Sequence, residues 1–183
     1  MDGITRLSSA HAGLDDALVR AAANGDRGAF AALVAEHHAD IVRACHVVCG
    51  DIELTRDAVQ SAWHVIWRKL GQLREPGRFR SWAIAIAVNE ARMALRKDRR
   101  RLVRELALAS HDTRGLDVFE AAAERIDLGR ALATLQPDER VLLALRYVAG
   151  FTPAEIVKTL GGTESGIRGR LSRINVRLRE EMR

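Results

Sequence analysis

The sequence predicts an all-α protein: two small helical domains joined by a linker, the C-terminal one a helix-turn-helix. Three observations predict it. Helix-forming residues dominate the 183 positions, and β-branched alternation is nearly absent. Proline is confined to Pro76, Pro137 and Pro153, with Pro137 and Pro153 standing where a helix would begin. Charge comes in blocks: residues 1–60 carry 5 basic and 9 acidic side chains, 61–104 carry 12 and 3, 105–140 carry 4 and 8, and 141–183 carry 8 and 4, for a net of +5. Two basic blocks with an acidic one between them point to two surfaces for a polyanion. For either block alone, a solvated helix face is an equally good explanation.

The elements follow in order. Residues 1–13 read as a disordered leader, and residues 14–101 as the first domain. A helix runs from near Asp15 to about Ala23. Asn24-Gly25-Asp26 stops it, and Asp26 caps the next. That helix carries Phe30, Leu33, Val34, Ile41, Cys45 and Val48 on one face. Gly50-Asp51 breaks it. A third helix aligns Val59, Ala62, Trp63, Ile66, Trp67 and Leu70, and a loop covers residues 71–78. A fourth helix starts near Ser81 and ends in the basic run 96–101. Residues 102–122 have linker composition, with room for some helix at either end. Residues 123–183 form the second domain, with helices near 123–134, 137–148, 153–160 and 164–181. Pro137 opens its helix with Asp138 and Glu139 behind it, which suits the positive end of the helix dipole. Thr152-Pro153-Ala154-Glu155 is a capping box.

Residues 152–173 carry the sharpest local signal. A short capped helix, a Gly161-Gly162-Thr163 turn and a basic helix make a helix-turn-helix, with Ile156 and Ile167 locking the pair. The second helix exposes Arg168, Arg170, Arg173 and Arg177, which suit guanine edges or phosphates. The second signal is residues 57–101. An aromatic helix, a loop with Arg74, Arg78 and Arg80, and a helix carrying Trp82 and Asn89 suit single-stranded bases, which offer faces for stacking. The plainer reading makes at least two of Trp63, Trp67 and Trp82 simple core.

Taken in order, these pieces resemble the extracytoplasmic-function (ECF) sigma factors of bacterial RNA polymerase. Residues 25–30 look like that family's opening helix motif, and Arg56 through Trp63 like its polymerase-binding helix. Phe79-Arg80-Ser81-Trp82 through Asn89 looks like its minus-ten segment. Residues 135–140 and 154–173 look like its minus-thirty-five domain. The resemblance covers about residues 15–181. It implies that residues 14–101 are sigma region 2 and residues 123–183 sigma region 4. It implies that Asp57, Gln60 and Trp63 dock on RNA polymerase core (beta and beta-prime subunits). It gives minus-ten contacts to Leu73, Arg74, Arg78, Phe79, Arg80, Trp82, Asn89, Arg92 and Arg96. It gives minus-thirty-five contacts to Thr163, Arg168, Arg170, Ser172, Arg173 and Arg177. Promoter DNA is the implied second partner, and an anti-sigma factor holds many relatives. The sequence departs from the family pattern at Gly162, where an apolar residue is usual, and at Gly166 and Gly169, where Thr and Ser types are usual. An interior glycine costs a helix about 1 kcal/mol relative to Ala, which predicts a weakened recognition helix.

Other classes fit less well. There is no phosphate-binding glycine loop, no carboxylate cluster and no nucleophile with a paired base, so an enzyme is not expected, nor a cofactor. A helix-turn-helix regulator that never touches polymerase would leave residues 57–89 without a task. His38, Cys45 and Cys49 share an arc of one helix, but His38 lies about 10 Å along the axis from Cys45, too far for a common ion. The expectation is no metal, with both cysteines acting as small apolar residues. No apolar leader opens the chain, and the longest apolar run, 82–88, is too short to span a bilayer. The expected location is the cytoplasm, without membrane insertion.

Overall fold

The structure, a computed structural model, describes residues 16–108 and 129–181. The leader predicted over 1–13, most of the predicted linker and the start of the helix predicted at 123 lie outside the described residues. Helix α1 covers residues 16–23. Helix α2 is Arg27–Cys49, α3 is Ile52–Lys69 and α4 is Phe79–Leu108. In the C-terminal unit, α5 covers residues 129–133 and α6 is Pro137–Leu143. Helix α7 is Pro153–Leu160 and α8 is Glu164–Glu181. No strand occurs among the described residues.

Local chemistry sets these boundaries. Asp26 caps α2 by accepting from the N–H groups of Gly28 and Ala29 at 2.8 and 3.0 Å. Asp51 caps α3 through Leu54 N–H at 2.8 Å. Between them Gly50 sits at φ +68°, a left-handed stop that glycine adopts without steric cost. The predicted capping box is present: Thr152 N–H donates to Glu155 Oε2 at 2.9 Å, and Glu155 N–H donates to Thr152 Oγ1 at 3.3 Å. Helix α4 begins two residues before the predicted Ser81, because a 3₁₀ turn at Pro76–Arg78 feeds straight into it. It also continues past the arginine run to Leu108, into residues with linker composition.

Helices α2, α3 and α4 pack against one another around Leu33, Ile41, Ile66, Ile84 and Phe79, all buried. Cys45 and Cys49 are free thiols in this core. Their Sγ atoms donate to the carbonyls of Ala87 and Ala91, one turn apart on α4, at 3.6 and 3.9 Å. Burial pushes the Cys45 thiol far up and the Cys49 thiol up to about 12, so both stay protonated and inert. His38 and Cys45 lie two turns apart on one arc of α2, but His38 is exposed while Cys45 is fully buried under α4. The neighbouring His37 is the buried histidine, its ring 5.1 Å from Phe79. None of the three tryptophans is fully buried; each lies half-buried at the edge of the core.

The C-terminal unit has its own apolar centre of Leu142, Leu145, Ile156, Ile167 and Ile174. Helix α6 passes into a π-helical turn at Ala144–Val148, closed by Ala149 N–H to Ala144 O at 3.0 Å. This unit packs on the first, α6 and the π turn lying against α2 and α4, so one apolar core runs through both.

Candidate nucleic-acid interface

The helix-turn-helix has the predicted lock. Ile156 on α7 and Ile167 on α8 are both buried between the helices. The turn needs two glycines in succession, Gly161 at φ +82° and Gly162 at φ +94°, and this geometry explains why Gly162 replaces an apolar residue. Thr163 caps α8 by accepting from Gly166 N–H at 3.1 Å, so its hydroxyl is committed to the fold first. Helix α8 is continuous through Gly166 and Gly169.

The arginines of α8 are not equivalent. Arg177 pairs with Glu139 of α6 at 2.6 Å, which ties α8 to α6. Burial alone would raise the Glu139 carboxyl, but the Gln136 N–H and the Arg177 guanidinium outweigh it and hold the carboxyl below its ordinary range. Arg168 pairs with Glu164 one turn back at 3.1 Å. Arg170, Ser172 and Arg173 are exposed.

The minus-ten candidates divide in the same way. Phe79 is buried against His37 and lies 6.2 Å from Trp82, so it anchors the start of α4 and offers no face to a base. Trp82 and Leu73 are half-buried, and Arg74 is exposed. Arg80 pairs with Asp40 of α2 at 2.7 Å. Asn89 is exposed, and its Nδ2 donates to Met93 Sδ at 3.7 Å. Arg78 and Arg92 reach across to the C-terminal unit, Arg78 to Glu155 at 3.5 Å and Arg92 to Asp138 at 3.4 Å. Further along α4, Arg96, Arg99, Arg100 and Arg104 line one open depression. Their spacing of three, one and four puts them on one helical face, a pattern readable in the sequence though only Arg96 is assigned above.

On α3, Asp57 and Gln60 are exposed, and Trp63 follows on the same side, half-buried. Trp63 donates Nε1–H to His38 Nδ1 at 3.2 Å and meets Phe30 edge-on at 5.9 Å. Phe30 in turn meets Trp67 at 4.7 Å. The result is an aromatic ledge between α2 and α3, open to a partner on one side.

Comparison with known proteins agrees with this layout. Residues 33–101 match the family model for sigma-70 region 2, and residues 125–178 match the model for sigma-70 region 4. The chain is 27% identical over 168 residues to a probable RNA polymerase sigma factor, RfaY, of Xanthomonas campestris, covering 88% of this chain and 42% of that one. It is 27% identical over 175 residues to the ECF RNA polymerase sigma factor SigM of Mycobacterium tuberculosis, covering 92% and 84%. Among solved structures, CnrH in complex with the cytosolic domain of CnrY superposes with a TM-score of 0.62 at 26% identity, over 91% of this chain and 96% of that one. RpoE from Bartonella quintana, in complex with the anti-sigma factor NepR, shares the fold with a TM-score of 0.67 at 21% identity, over 84% and 96%.

Proposed function

The chain belongs to the ECF sigma factors of bacterial RNA polymerase, factors that bind polymerase core and direct it to promoters, and on that premise we propose how its residues divide the work. The observation that carries the reading is the order of the two regions. A four-helix unit with an aromatic ledge and an arginine-lined α4 is followed by a helix-turn-helix with exposed arginines on its second helix. Asp57, Gln60 and Trp63 form the polymerase face. Arg74, Arg78, Arg80, Trp82, Asn89, Arg92 and Arg96 follow the minus-ten strand, with Leu73 beside them and Phe79 as the anchor beneath. Arg170, Ser172 and Arg173 meet the minus-thirty-five duplex, with Arg168 at the helix start and Thr163 and Arg177 holding the helix in place.

The physical division is between duplex and single strand. The minus-thirty-five element stays paired, so a helix in the major groove can read its edges. The minus-ten element is read after strands part, when an extruded base costs a few kcal/mol of stacking that a pocket must offset. Binding energy supplies this, so the factor is not an enzyme and needs no cofactor. It acts where polymerase acts, in the cytoplasm; none of the described helices is long and apolar enough to cross a membrane. An anti-sigma partner and a stress- or signal-responsive set of promoters complete the proposal.

A helix-turn-helix regulator independent of polymerase would leave the region 2 match without a role. Co-elution tests the difference. The purified chain is mixed with polymerase core and run on a sizing column. Co-elution at equal stoichiometry is expected, and separate elution would support the regulator.

A further inference from the structure

Trp63 is the aromatic member of the polymerase face proposed above, and the fold covers only part of its ring. The second side-chain torsion of a tryptophan is soft, with two broad orientations open to it. A ring packed on one side alone can turn between them. Two contacts fix this one. Phe30 meets the indole edge-on, with ring centroids 5.9 Å apart and planes at 86°. His38 holds the indole N–H: Trp63 Nε1 donates to His38 Nδ1 at 3.2 Å, reaching from α3 across to α2. The indole and imidazole rings lie nearly parallel, at 16°, with centroids 6.4 Å apart.

The chemistry of the pair assigns the roles. An indole N–H can only donate, so His38 Nδ1 is the accepting nitrogen and the imidazole hydrogen sits on Nε2. The neighbouring His37 does something else. Successive residues of a helix point about 100° apart, and His37 turns inward, its ring buried 5.1 Å from Phe79. His38 turns outward and is exposed. An exposed hydrogen bond replaces bonds to water and adds little to stability, so the consequence of this one is orientation. With its N–H taken by His38, Trp63 offers a partner the apolar surface of its ring and no donor. An aromatic side chain already held in one orientation loses less freedom on binding, and a preordered anchor gains affinity for that reason.

We propose that His38 is a positioning residue for polymerase docking: by accepting the indole N–H it holds Trp63 in the one orientation that presents its ring to the polymerase core. The inference rests on the assignment of Trp63 to the polymerase face. His38 thus serves α3 across the ledge, and not the cysteines of its own helix. Core affinity is set in part by the fraction of chains whose indole is held, and removing the acceptor lowers that fraction.

The test compares two variants of the full chain with the parent. His38→Leu removes the acceptor. His38→Asn restores one, because its Oδ1 is bonded to Cγ as the imidazole Nδ1 is. Each variant is melted, and each competes with labelled parent for polymerase core. Exchange of the Trp63 indole proton with solvent is read by NMR on the chain alone; its signal, one of three from tryptophan, is identified by its loss in Trp63→Phe. The expected result for His38→Leu is a melt close to the parent's, faster exchange of the indole proton and core affinity lower by about threefold. His38→Asn should return both exchange and affinity to near the parent's values. Unchanged core affinity in His38→Leu would overturn the proposal. So would an Asn variant as weak as the Leu variant, because a general loss of packing, and not the acceptor, would then explain the effect. If the parent itself does not bind core, the docking assignment fails and takes this inference with it. A parent that binds core beside an unaffected His38→Leu overturns the positioning role alone.

Discussion

The proposed polymerase face can be separated from the fold because its three residues differ in burial. Asp57 and Gln60 are exposed on α3, and substitution at such positions usually shifts stability by less than about 0.5 kcal/mol. Trp63 is different. It is half-buried, and it donates to His38 and meets Phe30 edge-on. Full truncation of a buried Trp costs ~3–5 kcal/mol. Half of that burial plus an exposed hydrogen bond gives about 2 kcal/mol for Trp63→Ala, within the 5–15 kcal/mol of an ordinary domain (roughly). The decisive variant is therefore Asp57→Ala with Gln60→Ala. Its thermal melt should overlay the parent's, while its affinity for polymerase core falls about tenfold, or ~1.4 kcal/mol. Trp63→Ala should melt lower and also bind core less well. The assay is competition with a labelled parent for core, beside a melt of each variant. If the double variant melts normally and binds core with unchanged affinity, α3 is not the docking face and the reasoning from exposure fails.

Four further outcomes are expected. Asn89→Ala should slow promoter opening more than it weakens the closed complex, read by permanganate reactivity of the opened thymines; equal losses would make Asn89 a structural residue. Arg173→Ala in the holoenzyme should cost ~1–3 kcal/mol and relax specificity at one position, whereas Arg168→Ala should weaken all promoter variants alike and lower the salt slope by about 1. Uniform loss with Arg173→Ala would reverse these roles. Ile156→Ala should destabilise the C-terminal unit by ~2–5 kcal/mol and abolish minus-thirty-five binding, read by urea titration and duplex binding. Finally, Glu139 and Glu155 are both held below the ordinary 4.5, Glu155 chiefly by the Thr152 N–H. A lowered carboxyl contributes stability that is present above about pH 4.5 and lost as pH falls through the folded value. The urea midpoint should drop across that window, and Glu139→Gln should flatten part of the drop.

The sequence made the helices legible where punctuation is chemical. Asp26, Gly50, Asp51, Pro137 and the Thr152–Glu155 box each sit at the boundary they signal, because a cap is a local bond between near neighbours. Ile156 and Ile167 were readable because the helix-turn-helix fixes which faces meet. Boundaries without a breaker were less legible: α4 runs through the arginines to Leu108, since a basic run does not end a helix. The π turn at Ala144–Val148 leaves no sequence mark. His37 is a polar residue on the apolar face of α2, and periodicity alone does not place it against Phe79. The tryptophans illustrate the same limit, because a helical stripe shows which side a residue is on but not how deep it lies. The contact between the two units was invisible for a stronger reason. Asp138, Glu155 and Arg140 read as helix-end charges, and only the packing of one unit on the other brings them to Arg92, Arg78 and Cys49. The candidate site was thus proposed from residue types in order, and which of those residues are committed to contacts within the fold came from the three-dimensional packing.

The most direct measurement is run-off transcription with purified polymerase core, the full chain and fragmented genomic DNA, followed by mapping of the transcript starts. The account predicts starts that appear only when the chain is present, preceded at fixed spacing by two short shared elements, one read as a single strand and one as duplex. Chain-dependent transcripts should need about tenfold more of the Asp57→Ala/Gln60→Ala variant to reach the parent's level, and should shift in promoter choice with Arg173→Ala. A chain that co-elutes with core yet yields no new transcript start from any fragment would contradict the account.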